Sequence, residues 1–313
     1  MKKLVLAGVF GTSLLAFLAG CGTSASEVVS SDTEKINVVA SISIIAEMVN
    51  RVGGDLVTVH SLVPVGDNPE DHEILPADVI AVSEADLIFY NGLGLEMGNG
   101  WFENLMNSAD LVADVDFFAV TVGIDAYKLN TDGMADYYDP HAWLDLRNGI
   151  VYLENIARVL GEFKPDYREK FEQNAAQYSE ELQALHDKWD GAFDHIPDDE
   201  RIIVTTEGAF RYFASAYNLH TVYIWELNAH EEGSIEQMRS IVEAVNASNV
   251  RAIFTESSLT TQFMEQVELE TGVPIFGMLY TDSLSAPDGS GATYLEMMRH
   301  NLETIYSGLT QER

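Results

Sequence analysis

Cysteine is almost absent from this chain, which contains Cys21 and no other cysteine in 313 residues. A single cysteine cannot form an internal disulfide. Beyond residue 21 there is also no thiol to act as a nucleophile or a metal ligand. Any metal site in the folded part must therefore use histidine, carboxylate or other oxygen ligands.

Basic residues are also scarce, because 17 lysines and arginines face 50 aspartates and glutamates, for a formal net charge of −33. Proteins that bind nucleic acid neutralise phosphates with basic patches, so this balance excludes nucleic acid as a partner. It also excludes membrane attachment through a polybasic surface. The excess of acidic residues either keeps the protein soluble or creates an electric field that enriches cations near it. We favour the first interpretation.

An apolar run opens the chain, where Lys2 and Lys3 precede residues 4–20. A basic start, an apolar run and small residues at its exit are typical of a secretion signal. The run falls short of the roughly 20 apolar residues that a membrane-spanning helix needs. We therefore predict a signal peptide at 1–20.

The sequence LAGC at 18–21 resembles the lipobox of bacterial lipoproteins. The resemblance implies that Cys21 carries a lipid and anchors the protein to the outer face of the cell membrane. Residues 21–35 are polar and rich in serine, which predicts a flexible tether after the lipidated cysteine.

From residue 36, short apolar runs alternate with amphipathic helical stretches, which predicts an α/β fold with parallel sheets. Residues 36–146 and 171–313 are predicted to be two lobes, each a mainly parallel β-sheet sandwiched by helices. The segment 147–170 has a helical pattern and is predicted to be a long linker helix that joins the lobes. Ligands of such sheets bind beyond the carboxyl ends of the strands, so the strand-end loops are where we expect a site.

Histidine, glutamate and aspartate follow several predicted strands, a composition that suits a hard or borderline divalent cation. Taken singly, each residue also has an ordinary explanation. His141 could be a surface histidine, Glu207 a carboxylate at the start of a helix, and Asp282 a turn residue. Local sequence leaves these alternatives open.

Several segments resemble, in this order along the chain, those of the substrate-binding lipoproteins of bacterial ABC importers for manganese, zinc and iron. They are DPHAWLD (139–145), TTEGAFRYF (205–213), IWELNAHEEGS (224–234), FTESS (254–258) and TDSLS (281–285). The resemblance implies one metal ion held between two α/β lobes. It also implies delivery of that ion to a membrane permease that is driven by an ATPase on other chains.

The resemblance implies that His141, Glu207 and Asp282 are metal ligands. Zinc members typically have histidine at the position of Glu207, whereas manganese and iron members have glutamate. Carboxylate oxygen is a harder ligand than imidazole, so this choice favours Mn²⁺, with Zn²⁺ or Fe²⁺ as alternatives.

The first ligand departs from the family pattern, in which a histidine coordinates the metal. The loop reads GDNPEDHEILPAD (66–78), and it aligns with the family without a gap at Gly66, Pro69, Glu73, Pro76 and Asp78. This alignment places Glu70 at the position of the coordinating histidine. We favour Glu70 because prolines on both sides fix the register, with His72 as the alternative if the loop shifts by two residues.

The expected function is capture of one divalent ion, most plausibly Mn²⁺, for an ABC permease, by a protein that acts as a monomer. An enzyme is not expected, because four protein ligands leave little room for an open catalytic position, and no His-Glu-x-x-His, phosphate-loop or Gly-x-Ser-x-Gly motif is present. A receptor for a larger metal chelate would need a cleft lined with aromatics or arginines. An adhesin role would need an exposed apolar patch.

Overall fold

A four-stranded parallel sheet forms the first half of the fold, in the spatial order β2-β1-β3-β4. Its strands β1, β2, β3 and β4 cover Ile36–Ala40, Val57–Ser61, Leu87–Tyr90 and Phe117–Ala119. Val38 of the central strand β1 lies opposite Val59 on one side and Leu87 on the other. Most side chains of β1 and β3 are buried, as expected when helices cover both faces of a parallel sheet.

The structure is a computed structural model that describes residues 34–129, 137–227 and 233–311. The predicted signal peptide, the lipidation site at Cys21 and nearly all of the tether lie outside the described residues. Within the described part, no helix is both long enough and apolar enough to cross a membrane.

Three helices connect the strands of this sheet, α1, α2 and α3, at Ser43–Gly53, Pro76–Ser83 and Trp101–Ser108. Helix α1 buries Met48, Val49 and Val52, while Asn50 and Arg51 are exposed on the opposite face. This spacing is the amphipathic pattern that packs a helix onto a sheet. Helix α2 begins at Pro76, whose fixed φ suits the first helical position.

Two long helices follow, α4 at Leu146–Phe163 and α5 at Arg168–Trp189. The Asp145 side chain caps α4 by accepting a hydrogen bond from the backbone N–H of Arg147, at 2.9 Å. A short 3₁₀ turn at Pro165–Tyr167 separates the two helices and interrupts the helical segment predicted at 147–170, because proline cannot continue a helix. Helix α5 packs against α4 and also against α1.

The second half of the fold contains two pairs of parallel strands. Strand β5 at Ile202–Glu207 pairs with β6 at His220–Trp225, and β7 at Ile253–Glu256 pairs with β8 at Ile275–Leu279. Strand β5 lies beside β7. The helices α6, α7, α8 and α9 cover Arg211–Ala216, Ile235–Ala247, Gln262–Thr271 and Tyr294–Thr310.

Two hydrophobic clusters stabilise the fold. The larger runs from the first sheet through α1, α4 and α5 to α9, and the smaller lies between strands β5 to β7 and helices α7 and α8. The predicted α/β class with parallel sheets and a long helix is confirmed. The predicted lobe boundaries at residues 146, 147, 170 and 171 stay predictions, since residues 34–311 belong to one compact unit.

Candidate metal site

His141 lies in a tight loop that directly precedes α4. Oδ1 of Asp139 accepts a hydrogen bond from the His141 backbone N–H at 3.0 Å and lies 2.9 Å from its Nδ1 atom. The side-chain amide of Asn91 donates to the carbonyl of Pro140 at 3.0 Å, and the His141 ring lies 5.3 Å from that of buried Trp143. These contacts hold a histidine of which only 1% is exposed.

Glu207 is the last residue of β5 and is 1% exposed. Its backbone N–H donates to Oε2 of Glu256 at 3.2 Å, and it lies opposite Trp225 in the strand register. The helix-capping interpretation of Glu207 is wrong, because α6 begins only at Arg211 and its N-cap residue is Phe210. The strand continues to Glu207 and places its side chain at the carboxyl edge of the sheet.

Asp282 follows β8 in a buried loop and is 3% exposed. Its Oδ2 atom accepts hydrogen bonds from the hydroxyls of Ser258, at 2.7 Å, and Thr281, at 3.1 Å. Its Oδ1 atom points the other way and lies 3.3 Å from Nε2 of His141. Asp282 is therefore anchored through one oxygen and presents the other to the histidine.

The structure brings His141, Glu207 and Asp282 together. One potential ligand atom from each residue can be chosen so that all three lie within 4.8 Å of one another, and all three side chains are buried. Within the described ranges, no other group of three or more such residues meets this geometry. One imidazole and two carboxylates in a buried cluster form a donor set that suits a divalent transition metal.

The electrostatics of the cluster reflect its burial and its excess of carboxylates. Burial, and then the charge of Glu70, raise the pKa of Glu207 well above its ordinary value. Burial opposes the charged form of His141, but Asp139 and Asp282 outweigh it and raise the His141 pKa well above its ordinary value. Burial would raise the pKa of Asp282 as well, but His141 holds it below its ordinary value. A bound cation would take over the charge compensation that protons provide in its absence.

Glu70 lies in a 3₁₀ turn at Pro69–Asp71, with its backbone N–H donating to the Asn68 side chain at 2.9 Å. The indole N–H of Trp101 donates to the carbonyl of Pro69 at 2.9 Å, which fixes this turn against α3. Glu70 is not one of the three clustered residues, but its charge adds to the effect of burial in raising the pKa of Glu207. Its side chain therefore lies within electrostatic reach of the cluster.

His72, the alternative first ligand, is buried in a different environment. Its Nε2 atom lies 3.0 Å from Oδ2 of Asp78, and its ring packs edge-on against Trp101 with the centroids 4.8 Å apart. Asp78 in turn accepts the backbone N–H of Leu75 at the start of α2. The His72 ring therefore packs within its own loop and is not part of the cluster.

Three residues around the cluster had no role assigned from the sequence, namely Asp139, Glu256 and Ser258. Asp139 stands two positions before His141, a spacing that suits a local contact between carboxylate and imidazole. Glu256 and Ser258 belong to the FTESS segment but reach Glu207 and Asp282 only through the packing of β7 between β5 and β8. No local sequence signal could indicate those two contacts.

Residues 38–308 match the family described as zinc-uptake complex component A, periplasmic (ZnuA). The chain belongs to the ZnuA family. The resemblance inferred from the segments at 139–145, 205–213 and 281–285 is thereby confirmed.

The ZnuA-family relatives of this chain include several named transporter lipoproteins. FimA of Streptococcus parasanguinis, a metal ABC transporter substrate-binding lipoprotein, is 42% identical over 312 residues, which cover 99% of this chain and 100% of FimA. PsaA of Streptococcus pneumoniae, a manganese ABC transporter substrate-binding lipoprotein, is 40% identical over 317 residues, with the same two coverages.

Solved structures of similar proteins share the fold. A Mn-bound periplasmic metal binding protein from Candidatus Liberibacter asiaticus has a TM-score of 0.76 at 33% identity and covers 88% of this chain and 100% of its own. The periplasmic zinc binding protein TroA from Treponema pallidum has a TM-score of 0.79 at 27% identity, with the same coverages. The similarity therefore extends over nearly all of the described part of the chain.

Proposed function

We propose that this protein is an extracytoplasmic receptor that captures one Mn²⁺ ion and delivers it to an ABC permease. The observation that carries the proposal is the meeting of His141, Glu207 and Asp282 within 4.8 Å in a buried cluster. The three residues come from three distant segments, so their convergence is a property of the folded chain. Membership of the ZnuA family supports transport as the purpose of this cluster.

Glu70 completes the proposed site as its fourth ligand. The carboxylates of Glu70, Glu207 and Asp282, together with the imidazole of His141, give an oxygen-rich donor set. Such a set favours Mn²⁺ or Fe²⁺ over a set richer in imidazole, although Zn²⁺ still binds most ligands more tightly than Mn²⁺. The name of the PsaA relative, a manganese lipoprotein, supports Mn²⁺ as the cargo.

Capture joins two halves of the fold. Glu70 lies between β2 and β3 of the first sheet and His141 follows β4, whereas Glu207 ends β5 and Asp282 follows β8. A cation bound to all four residues would hold these halves together. We expect the opening and closing motion to be small, because the long helix α4 is continuous and packs against α1 and α5.

The proposed site is one for cargo and not for catalysis. Four protein ligands leave little room for the open coordination position that a catalytic metal centre keeps. The ion would therefore be bound and passed on unchanged.

The proposed setting is the outer face of the cell membrane, with a lipid on Cys21 as the anchor and an ABC permease with its ATPase as the partner. The sequence LAGC at 18–21 supports the anchor, and the relatives named as ABC transporter lipoproteins support the partner. We propose that the receptor works as a monomer, since the candidate ligands all come from one chain.

Elemental analysis of protein purified without added metal, followed by competition between Mn²⁺ and Zn²⁺, tests the cargo. We expect one divalent ion per chain and full loading with Mn²⁺ after the metal has been stripped. Stoichiometric zinc that excess Mn²⁺ cannot displace would contradict the manganese proposal. A stripped protein that binds neither ion would contradict the transport proposal itself.

A further inference from the structure

The carboxyl end of β7 touches two candidate ligands without supplying one. This segment, Glu256 to Ser258, lies between β5, which ends in Glu207, and the loop after β8, which carries Asp282. The cluster of His141, Glu207 and Asp282 contains none of the residues of this segment. Its contacts with both ligand-bearing segments therefore need a different explanation.

Glu256 connects β7 to the end of β5. Its side chain is 2% exposed, and its Oε2 atom accepts the backbone N–H groups of Thr206, at 2.8 Å, and Glu207, at 3.2 Å. Among the described residues, β5 forms a ladder with β6 and β7 with β8, but no ladder joins β5 to β7. One carboxylate thus supplies the acceptor that a neighbouring strand would otherwise provide for these two N–H groups.

This contact fixes the backbone from which the Glu207 side chain departs. A buried N–H group is costly to leave without an acceptor, so the Glu207 peptide is held in the orientation observed. Rotation of that peptide would swing the carboxylate away from His141 and Asp282. The position of Glu207 in the cluster therefore depends on Glu256.

Ser258 holds the side chain of Asp282, as Glu256 holds the backbone of Glu207. Its hydroxyl donates to Oδ2 of Asp282 at 2.7 Å and lies 3.0 Å from the Thr281 hydroxyl. The backbone N–H of Ser257 donates to the carbonyl of Leu279 at 2.9 Å, which ties this segment to the end of β8. With Oδ2 occupied, Oδ1 of Asp282, which has no hydrogen-bond partner among the described residues, is the oxygen that faces the cluster.

We propose that Glu256 and Ser258 are positioning residues of the metal site, the first orienting Glu207 and the second directing Oδ1 of Asp282 toward the ion. The inference rests on the proposed function, because positioning has meaning only if the cluster binds a metal. One short segment at the end of β7 then sets the geometry of both ligands from the second half of the fold. Residues that hold metal ligands in this way commonly change affinity by about 10–100-fold when they are altered.

The test of Ser258 uses its neighbour as a matched control. The Ser257 hydroxyl is buried and has no hydrogen-bond partner among the described residues, so Ser257→Ala removes the same atom without removing a contact to a ligand. We expect Ser258→Ala to weaken Mn²⁺ binding by about 10-fold or more, and Ser257→Ala to leave the Kd unchanged. Chelator competition measures both values.

The test of Glu256 uses graded replacements. Glu256→Ala removes the acceptor for both N–H groups, and we expect a loss of about 10–100-fold in Mn²⁺ affinity. Glu256→Gln keeps an oxygen acceptor and should restore most of that affinity. Glu47→Gln is the control, since Glu47 is a part-buried carboxylate on α1 that contacts Arg51 and Tyr178, neither of which is a candidate ligand.

The absorption spectrum of bound Co²⁺ adds a readout that a purely structural role would not move. We expect its d–d bands to shift in Ser258→Ala and Glu256→Ala, but not in Ser257→Ala or Glu47→Gln. Wild-type affinity and an unchanged spectrum in Ser258→Ala would overturn the proposal, and this variant decides the matter if Glu256→Ala does not fold. Failure of the wild-type protein to bind Mn²⁺ or Co²⁺ would instead overturn the proposed function.

Discussion

Asp139 holds His141 at two points through a single oxygen atom. Oδ1 of Asp139 lies 3.0 Å from the His141 backbone nitrogen and 2.9 Å from its Nδ1 atom. A carboxylate can only accept hydrogen bonds, so Asp139 would hold the proton on Nδ1 of His141 when a metal ion takes the lone pair of Nε2. Nε2 is the atom that lies 3.3 Å from Oδ1 of Asp282.

Asp139→Asn should therefore weaken metal binding without removing a ligand. The amide has nearly the shape of the carboxylate, but it lacks the charge that supports the Nδ1 proton. We expect Mn²⁺ affinity to fall by about 10–100-fold, as is usual when the partner of a metal-bound histidine is lost. Chelator competition gives the Kd, and wild-type affinity in this variant would show that the Asp139 contact does not serve the site.

Replacement of Glu70 should weaken Mn²⁺ binding, whereas replacement of His72 should not. Glu70→Gln removes a charge near Glu207, and we expect Mn²⁺ affinity to fall by about 100-fold or more, since a ligand is lost and not merely its support. His72→Gln should leave the Kd nearly unchanged, because His72 contacts Asp78 and Trp101.

The same His72 variant should lose thermal stability in the metal-free state. A buried side chain that loses its hydrogen bond and ring packing costs about 1–3 kcal/mol. Calorimetry of both variants after metal removal provides this measurement. Loss of metal binding in His72→Gln, with normal binding in Glu70→Gln, would show that the loop register is shifted by two residues.

Replacement of Glu207 should change which metal the site prefers. Glu207→His exchanges a hard oxygen ligand for an imidazole nitrogen, which suits Zn²⁺ better than Mn²⁺. We expect the ratio of the Zn²⁺ to the Mn²⁺ association constant to rise by about 10-fold or more. Competition titrations of both ions against one indicator measure this ratio, and a ratio equal to that of the wild type would exclude Glu207 as a determinant of metal choice.

Glu96, which is not a candidate ligand, should make the stability of the fold depend on pH. Burial raises its pKa from 4.5 to about 7, although it accepts hydrogen bonds from Ser41, Asn91 and Gly92. The folded state therefore binds the proton more tightly than the unfolded state. Its stabilising contribution is complete below pH 4.5 and is lost as the pH rises through about 7.

The free energy of unfolding of the wild type should thus fall relative to that of Glu96→Gln between pH 4.5 and about 7, by on the order of 3 kcal/mol. Urea unfolding in the presence of a chelator, at several pH values, gives both curves. The two proteins can differ in absolute stability, so the slope of their difference is the quantity to compare. Parallel curves would contradict the raised pKa.

Most of the fold could be predicted from the sequence because its elements have strong local patterns. The apolar run of β3 and the amphipathic face of α4 are visible within a few turns of chain, and Pro165 marks the break before α5. The end of β5 could not be predicted in this way. The N–H groups of Thr206 and Glu207, at the end of this strand, find their acceptor in Glu256, which is 49 residues beyond Glu207 in sequence.

The contrast between local sequence patterns and long-range packing also explains which part of the site could be predicted. Motif resemblance indicated His141, Glu207 and Asp282, and the folded chain brings these residues together. The contacts from Ser258 to Asp282 and from Glu256 to the end of β5 depend on how distant strands pack. The assignment of Glu70 as a ligand stays a prediction.

Calorimetric titration of Mn²⁺ into the metal-stripped protein and into its Glu207→Gln/Asp282→Asn double variant tests the central claim most directly. Both replacements nearly keep side-chain volume and remove the negative charges of two of the three clustered residues. We expect one Mn²⁺ ion per wild-type chain and no saturable binding to the double variant. A double variant that still binds one ion with the wild-type Kd would contradict a site built from His141, Glu207 and Asp282.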